Sequence, residues 1–487
     1  MNIVLARVLG VADYGRLAYL TMVMEIVGVI VMVGVGNGLI QFGAKAHSRG
    51  DHDTVKSLLR RTQGFRVLVG APILTGVVLL LADVPVALLV LAILFGIWVP
   101  AGFGGAPAAL TIQNDTARAA RLAMVMNLVT QAVVVTAVLS IPQPDVVWSA
   151  RMVVGGVSVI VAIFLVQRRY RRAVLTPRWP SGMPAGFWRY AVPMGLSGIL
   201  STIALSRSEV VLLEHLSTAE QVGLYAMAFG LAGHLFAPAQ ALLNPLTPAI
   251  SALREVDVTA IKEAFRRTVR MSSAIAGLII AVGGPVLALL VPVLYGEAFA
   301  SASRLVLALV VVSGFLIVTY PMQTFVSARL RAGSALTVNA LSLVATVVVA
   351  LLLIPAVGAW GAVMGKFAVV LTRVAWLGWR EPESFMVGRW EFVTSFRSVA
   401  AASVAGLAAF AGGTAAAAEL NSPFWGAGTA FLLGGTLFVL LVMLVRGGLE
   451  PKDITAIGRA LPSQIRPWAT FVLRLTLGSS ASRAGRS

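Results

Sequence analysis

The chain contains no cysteine and only four histidines, His47, His52, His215 and His234, in 487 residues. Disulfides, thiolate metal centres and cysteine nucleophiles are therefore excluded, and the histidines show no metal-ligand spacing. Charge is also scarce: Asp, Glu, Lys and Arg make up 12% of the residues, against 58% hydrophobic and a mean hydropathy of +0.89. A soluble chain of this length would form about three domains of roughly 150 residues and carry about twice that charge. This composition instead describes a chain solvated by lipid. Acid is the scarcer sign, with 20 Asp and Glu against 38 Lys and Arg, for a net charge of +18. Such a surplus could suggest nucleic acid, but its distribution along the chain points to a membrane.

What the chain does have is apolar runs of about 20 residues, the length that crosses a hydrocarbon core of roughly 30 Å. They predict spans near 17–40, 67–82, 86–112, 122–140, 147–166, 190–213, 221–244, 272–292, 303–326, 336–354, 357–377, 398–417 and 424–445. Alternate connections hold 32 of the 38 basic residues, and the opposite, short connections carry Asp83, Asp145, Glu297 and Glu419. The basic set is expected on the cytoplasmic side. The chain then begins outside, where Met1 to Ala6 reads as the end of an apolar helix whose start is missing. The other reading of that end is a thirteen-span protein with an external N-terminus. No cleavable signal is visible, because Arg7 follows the first apolar residues.

The chain also resembles itself. Lys56 to Thr62 matches Lys262 to Thr268, Ala12 to Leu17 parallels Ala219 to Leu224, Asn37 parallels Asn244, and Asn127 to Pro142 parallels Asn339 to Pro355, all in one order. The repeated basic loop lies on one side in both copies, so each repeat holds an even number of spans and the copies run parallel. Two six-helix bundles follow, with two further spans outside the repeat. Such bundles suit a transporter that opens alternately to each side.

Leu5-Ala6-Arg7-Val8-Leu9-Gly10, Asp13-Tyr14-Gly15 and Gly34-Val35-Gly36-Asn37-Gly38 before a basic loop resemble the polysaccharide flippase branch of the multidrug/oligosaccharidyl-lipid/polysaccharide (MOP) exporter superfamily. Val222-Gly223-Leu224-Tyr225-Ala226 and Pro245-Leu246-Thr247-Pro248-Ala249-Ile250 repeat the likeness in the second half. The resemblance implies an all-α multi-span protein with an N-terminal lobe over 1–185, a C-terminal lobe over 186–380, two additional helices over 381–446 and a basic cytoplasmic tail over 447–487. It further implies a bacterial inner-membrane protein, not an enzyme and without a cofactor, that moves undecaprenyl-diphosphate-linked oligosaccharide outwards through a cationic cavity. Partners implied are that substrate, membrane lipids and a glycan polymerase of the same pathway, with no nucleic acid. The family's frequent aspartate in the seventh helix appears here as Glu209.

A diphosphate crossing hydrocarbon needs fixed cations, and ionisable residues inside spans are costly enough to be functional candidates. The six basic residues outside the basic loops are therefore the candidate substrate contacts: Arg7, Arg16, Arg151, Arg207, Arg304 and Lys366. Lys366 lies near mid-span, as a cavity cation or the partner of a buried carboxylate. Arg207 is seven residues from Glu214, so an ion pair competes with a substrate contact. For Arg7, Arg16, Arg151 and Arg304 the competing reading is snorkelling to the external interface. Glu25, Glu209 and His234 are the candidates for coupling to Na⁺ or H⁺. A salt bridge from Glu25 to Arg7 or Arg207, and a hydrogen-bonded core histidine at 234, are the structural alternatives.

Asp51-His52-Asp53 has the spacing of a metal-binding Asp-x-Asp but sits in a short basic loop, where a structural role is expected. The glycines from 34 to 38 follow no strand, which excludes a dinucleotide site and leaves close helix packing or bending. The loops 50–66 and 254–270 have amphipathic helical spacing and are expected to lie on the anionic leaflet. Competing functions are a cation-coupled multidrug or small-solute exporter and a non-transporting envelope-assembly scaffold. A membrane glycosyltransferase would need larger loops bearing catalytic acids.

Overall fold

The computed structural model describes residues 1–32, 34–81, 83–113, 115–205, 208–243, 260–328, 332–380, 392–393 and 395–445. The described residues contain helices and no strand. Eleven of these helical segments are long and apolar enough to cross a membrane. The chain divides into two compact units, Met1–Gly223 and Leu224–Ser487.

In the first unit, α1 (Asn2–Met32) runs helically through the expected break after Ala6, with one kink at Gly10, φ 76°. The span expected over 17–40 therefore ends at Met32, and α2 (Val35–Ser48) begins after Gly34 in the left-handed region, φ 73°. Only glycine fits there: a Cβ would collide with the carbonyl of Ala191 and lie 2.7 Å from the amide nitrogen of Gly195. At Gly38 the Phe187 ring comes equally close. These glycines permit close packing, as their position at a helix end suggested.

Helix α3 (His52–Phe65) continues through a π turn, Arg66–Gly70, into α4 (Ala71–Leu81). The amphipathic stretch expected as a separate surface helix is thus the basic end of the span itself. Its apolar residues Val55, Leu58 and Leu59 are buried against Tyr170 and Val174, which removes the apolar face that would have held it to lipid. Next come α5 (Val86–Ile93), a second π turn at Leu94–Trp98, α6 (Val99–Phe103) and α7 (Gly105–Ile112). An antiparallel pair follows, α8 (Thr116–Ser140) and α9 (Pro144–Leu165). Pro144 pre-sets the first turn of α9 and Asp145 complements its dipole. Helix α9 packs on α1, α5, α6, α7 and α8, burying Val147, Trp148 and Ala162. The unit closes with α10 (Arg168–Leu175), α11 (Phe187–Leu205) and α12 (Ser208–Leu216). Helix α13 (Ala219–Leu243) leads into the second unit. The expected spans 190–213 and 221–244 both form helices, next to residues outside the described set.

The second unit begins its described long helices with α14 (Ala260–Leu278), a third π turn at Ile279–Gly283, and α15 (Gly284–Tyr295). They run as one basic-to-apolar helix, as α3 and α4 do; residues 254–259 of the expected amphipathic stretch lie outside the described residues. Helix α16 (Ala302–Ala328) packs on both. The hairpin of α17 (Ala332–Val357) and α18 (Ala359–Arg380) turns at Gly358, φ 56°. The last pair, α19 (Arg397–Glu419) and α20 (Pro423–Leu444), meets along small residues that include Ala409, Gly413, Gly426 and Ala430. This pair docks on the third π turn: a Cβ at Gly406 would lie 2.7 Å from the Ile280 carbonyl oxygen, and one at Gly434 would collide with that of Ala281. Residues 446–487 lie outside the described residues, and with them the expected basic tail.

Candidate functional site

Helix α18 carries Lys366 and Arg373 seven residues apart, hence two turns and about 10 Å along one face. They divide Ala359–Arg380 into equal thirds and bracket its midpoint. Their side chains are almost wholly enclosed, at 1% and 0% exposure. The Lys366 ammonium lies 5.2 Å from the centre of the Phe229 ring, a cation–π contact strengthened by the lack of water. Arg373 Nη2 donates to Asn339 Oδ1 at 2.9 Å, while its Nε and Nη1 are buried without a hydrogen-bond acceptor. Asn339, Ser342 and Thr346 on α17 are also buried, spaced three and four residues apart so that they share a face. Thr346 faces α18, since a Cβ at Gly365 would lie 3.0 Å from its Oγ1. Tyr320 of α16 is within electrostatic reach of Arg373. The result is a polar seam with two cations inside an otherwise apolar bundle.

Arg373 was missed by counting it with the basic connection that follows the span. The signal was available: seven residues from Lys366 place it on the same helical face. Of the other candidate cations, Arg16 is committed to protein groups. Its Nε donates to Asp145 at 2.9 Å and its Nη2 to the Asp83 carbonyl, tying α1 to the two turns that expose those acids. Arg7 and Arg304 are exposed and Arg151 is half-buried on α9. Arg207 lies outside the described residues. Glu25 is exposed on α1 and forms no ion pair with Arg7. Glu209 is fully buried on α12, and His234 is exposed on α13. The structure thus gives each described candidate its own surroundings within its unit.

It does gather two histidines that the sequence left apart. Tyr170 Oη lies 2.8 Å from His47 Nδ1 and 2.7 Å from His52 Nδ1, and Arg169 Nη1 donates to His52 Nε2 at 2.9 Å. The donors fix the tautomers. His52 Nε2 must accept, so its Nδ1–H donates to Tyr170, whose own proton goes to His47 Nδ1. Burial, then the charge of Arg169, hold His47 below its ordinary pKa. Asp51 caps α3 by accepting from the Thr54 amide at 3.0 Å; the Thr54 hydroxyl first, and then this amide, lower its pKa, and Asp53 pairs with Lys56 at 2.9 Å. The Asp-x-Asp is thus a helix cap and an ion pair, and no group of three metal-ligating side chains occurs among the described residues.

This is a multi-pass membrane protein whose fold is that of the MOP exporters. It is similar to a multidrug resistance MATE family transporter of the MOP superfamily in an inward-facing conformation, with a TM-score of 0.59 and 15% identity over 81% of this chain and 94% of that one. It is also similar to the lipid II flippase MurJ in an inward closed conformation, with a TM-score of 0.63 and 11% identity over 91% of this chain and 95% of that one. No curated protein is detectably similar in sequence. The family model described as polysaccharide biosynthesis protein matches residues 4–304, more than half of the chain. The protein belongs to that family.

Proposed function

We propose that the protein is a flippase for a lipid-linked oligosaccharide, carrying a diphosphate-linked glycan from the cytoplasmic to the external leaflet of a bacterial inner membrane by alternating access. The observation that carries this reading is the pair of enclosed cations, Lys366 and Arg373, on one face of a membrane-spanning helix. A diphosphate bears at least two negative charges, and two fixed cations in low dielectric offset its loss of hydration. The unused Nε and Nη1 of Arg373 are donors suited to phosphate oxygens. In this reading 1–185 and 186–380 are the lobes that move, 381–446 supplies the additional helices, and a glycan polymerase receives the product. Arg7, Arg151, Arg207 and Arg304 serve as further contacts along the path, and Arg16 serves as a clasp. Glu25, Glu209 and His234 are the groups through which Na⁺ or H⁺ would be coupled.

The test is leaflet translocation of a labelled undecaprenyl-diphosphate oligosaccharide in proteoliposomes. Lys366→Glu should abolish it and Lys366→Arg should retain part of it; equal rates in all three proteins would remove Lys366 from the mechanism. Glu209, a fully buried carboxylate, favours a second reading as a cation-coupled exporter. Ion-driven dye efflux without glycan translocation would select that reading, and neither activity would leave the scaffold.

A further inference from the structure

The first unit holds a separate cavity of about 250 Å³, lined by Gly28 and Met32 of α1, Arg66 of the first π turn, Ala71 and Leu74 of α4, Gly96 and Ile97 of the second π turn, and Pro100 and Ala101 of α6. Arg66 supplies its charge. The Nε of Arg66 is buried without a hydrogen-bond acceptor, and no carboxylate lines the cavity. The guanidinium fits because residue 104 is glycine: a Cβ there would collide with Nη1. The nearby Gln63 offers no partner, since its amide donates to the Ala101 carbonyl and accepts from the Gly105 amide at 3.0 Å. The remaining wall is apolar. Arg66 stands where the basic part of the helix gives way to its apolar run, with Ala71 and Leu74 about 7 to 12 Å further along it; a guanidinium at such a boundary would meet lipid phosphates.

We propose that this cavity binds the phosphate ester of a membrane phospholipid, with the phosphate on the Arg66 guanidinium and the start of an acyl chain along Met32, Leu74 and Ile97. One guanidinium matches the single charge of a phosphodiester. The diphosphate assigned to Lys366 and Arg373 would be under-compensated here, so the site is distinct from that one and stands without the flippase reading. A lipid in the cavity braces α1 against the two π-turn helices, α3–α4 and α5–α6, that form the rest of its wall.

The experiment uses the purified full chain, stripped of lipid in neutral detergent, and follows thermal unfolding with added dioctanoyl phosphatidylglycerol. Dioctanoylglycerol supplies chains without phosphate, and glycerol phosphate supplies phosphate without chains. The expected result is a saturable rise in Tm with the phospholipid alone. Arg66→Gln should weaken its apparent affinity at least tenfold and Arg66→Lys less. Gly28→Leu adds bulk at a lining position while keeping Arg66, and since an added Cβ at Gly28 meets nothing within 4 Å, it is the variant expected to fold where Arg66→Gln does not. It should also lose the rise. An equal rise with glycerol phosphate would show a site for free anions, and one with dioctanoylglycerol a merely greasy groove. Either overturns the proposal, as does a rise that survives in both variants. Glu25 lies one turn from Gly28 on the same face, so if Glu25→Gln reproduces Arg66→Gln without any response to lipid, the guanidinium serves Glu25 and the proposal fails.

Discussion

Replacing Arg373 by methionine separates a transport cation from a helix tie. The substitution removes one charge-assisted hydrogen bond to Asn339, worth about 1.5–3 kcal/mol, and leaves Asn339 Oδ1 without that donor at a cost of about 1–3 kcal/mol. It also removes a buried cation and two enclosed N–H groups that find no acceptor, each costing about 1–3 kcal/mol. These contributions offset to within about 2 kcal/mol, so Arg373→Met should unfold at nearly the parental temperature. Transport should respond quite differently. One of the two cations proposed to meet the diphosphate is lost, and about 1.5–3 kcal/mol corresponds to a fall of roughly 10- to 150-fold in translocation at limiting substrate. Asn339→Ala is the converse perturbation: it strips the last acceptor from Arg373, lowering stability by about 2–4 kcal/mol, while leaving the cation for substrate. The assay is translocation per folded molecule in proteoliposomes beside thermal unfolding in detergent. If Arg373→Met lost stability by more than about 3 kcal/mol yet translocated at the parental rate per folded molecule, Arg373 would be a helix tie and the assignment of the seam to substrate would be refuted.

Three further outcomes are expected. His47 is held below its ordinary pKa in the folded chain, so the unfolded chain binds more protons as pH falls below about 6.5, and stability should decline from there towards the folded pKa. Thermal unfolding at pH 7.5 and 5.5 should show that loss in the parent and a smaller one in His47→Gln; an unchanged difference would discharge His47. Gly34→Ala should cost about 1–2 kcal/mol from the left-handed backbone alone, and more from its collision with Ala191, so a melting temperature equal to the parent's would contradict the packing of α2 on α11. Glu25→Gln should remove any dependence of vesicle transport on an ion gradient; dependence retained in full would leave Glu25 without a coupling role.

The helical class, most span positions and the presence of two further helices after the repeat were legible because apolar run length is a strong, local signal. Boundaries near Gly10 and Gly34 were not. Whether a glycine breaks a helix or only bends it depends on what packs beside it, as the carbonyl of Ala191 does at Gly34. The continuation of α3 into α4 was hidden for a similar reason: basic residues 60, 61 and 66 read as a loop, although their helix is held by burial of Leu58 and Leu59 against Tyr170. The site was half legible. Lys366 stood out as a lone charge in an apolar run, whereas Arg373 was masked by its nearness to the end of that run. Arg16 shows the opposite error, since its partner Asp145 is 129 residues away and no local pattern announces the pair.

The three π turns among the described residues change what a one-residue deletion would do to their spans. At Arg66–Gly70, Leu94–Trp98 and Ile279–Gly283 the amide closing each turn, that of Ala71, Val99 or Gly284, reaches back five residues rather than four. Each turn therefore holds one residue more than an α-helix needs. Deleting a single residue there would leave an uninterrupted α-helix with nearly the same total rotation across the turn, so the faces on either side would keep their register. In α15 Ala288 and Val291 would keep facing their neighbours, and in α4 Ala71 and Leu74 would stay in line with the helix before them. A π turn is thus a place where a span can shed a residue without changing which of its faces looks inward, whereas the same deletion in a regular turn would rotate everything beyond it by about 100°.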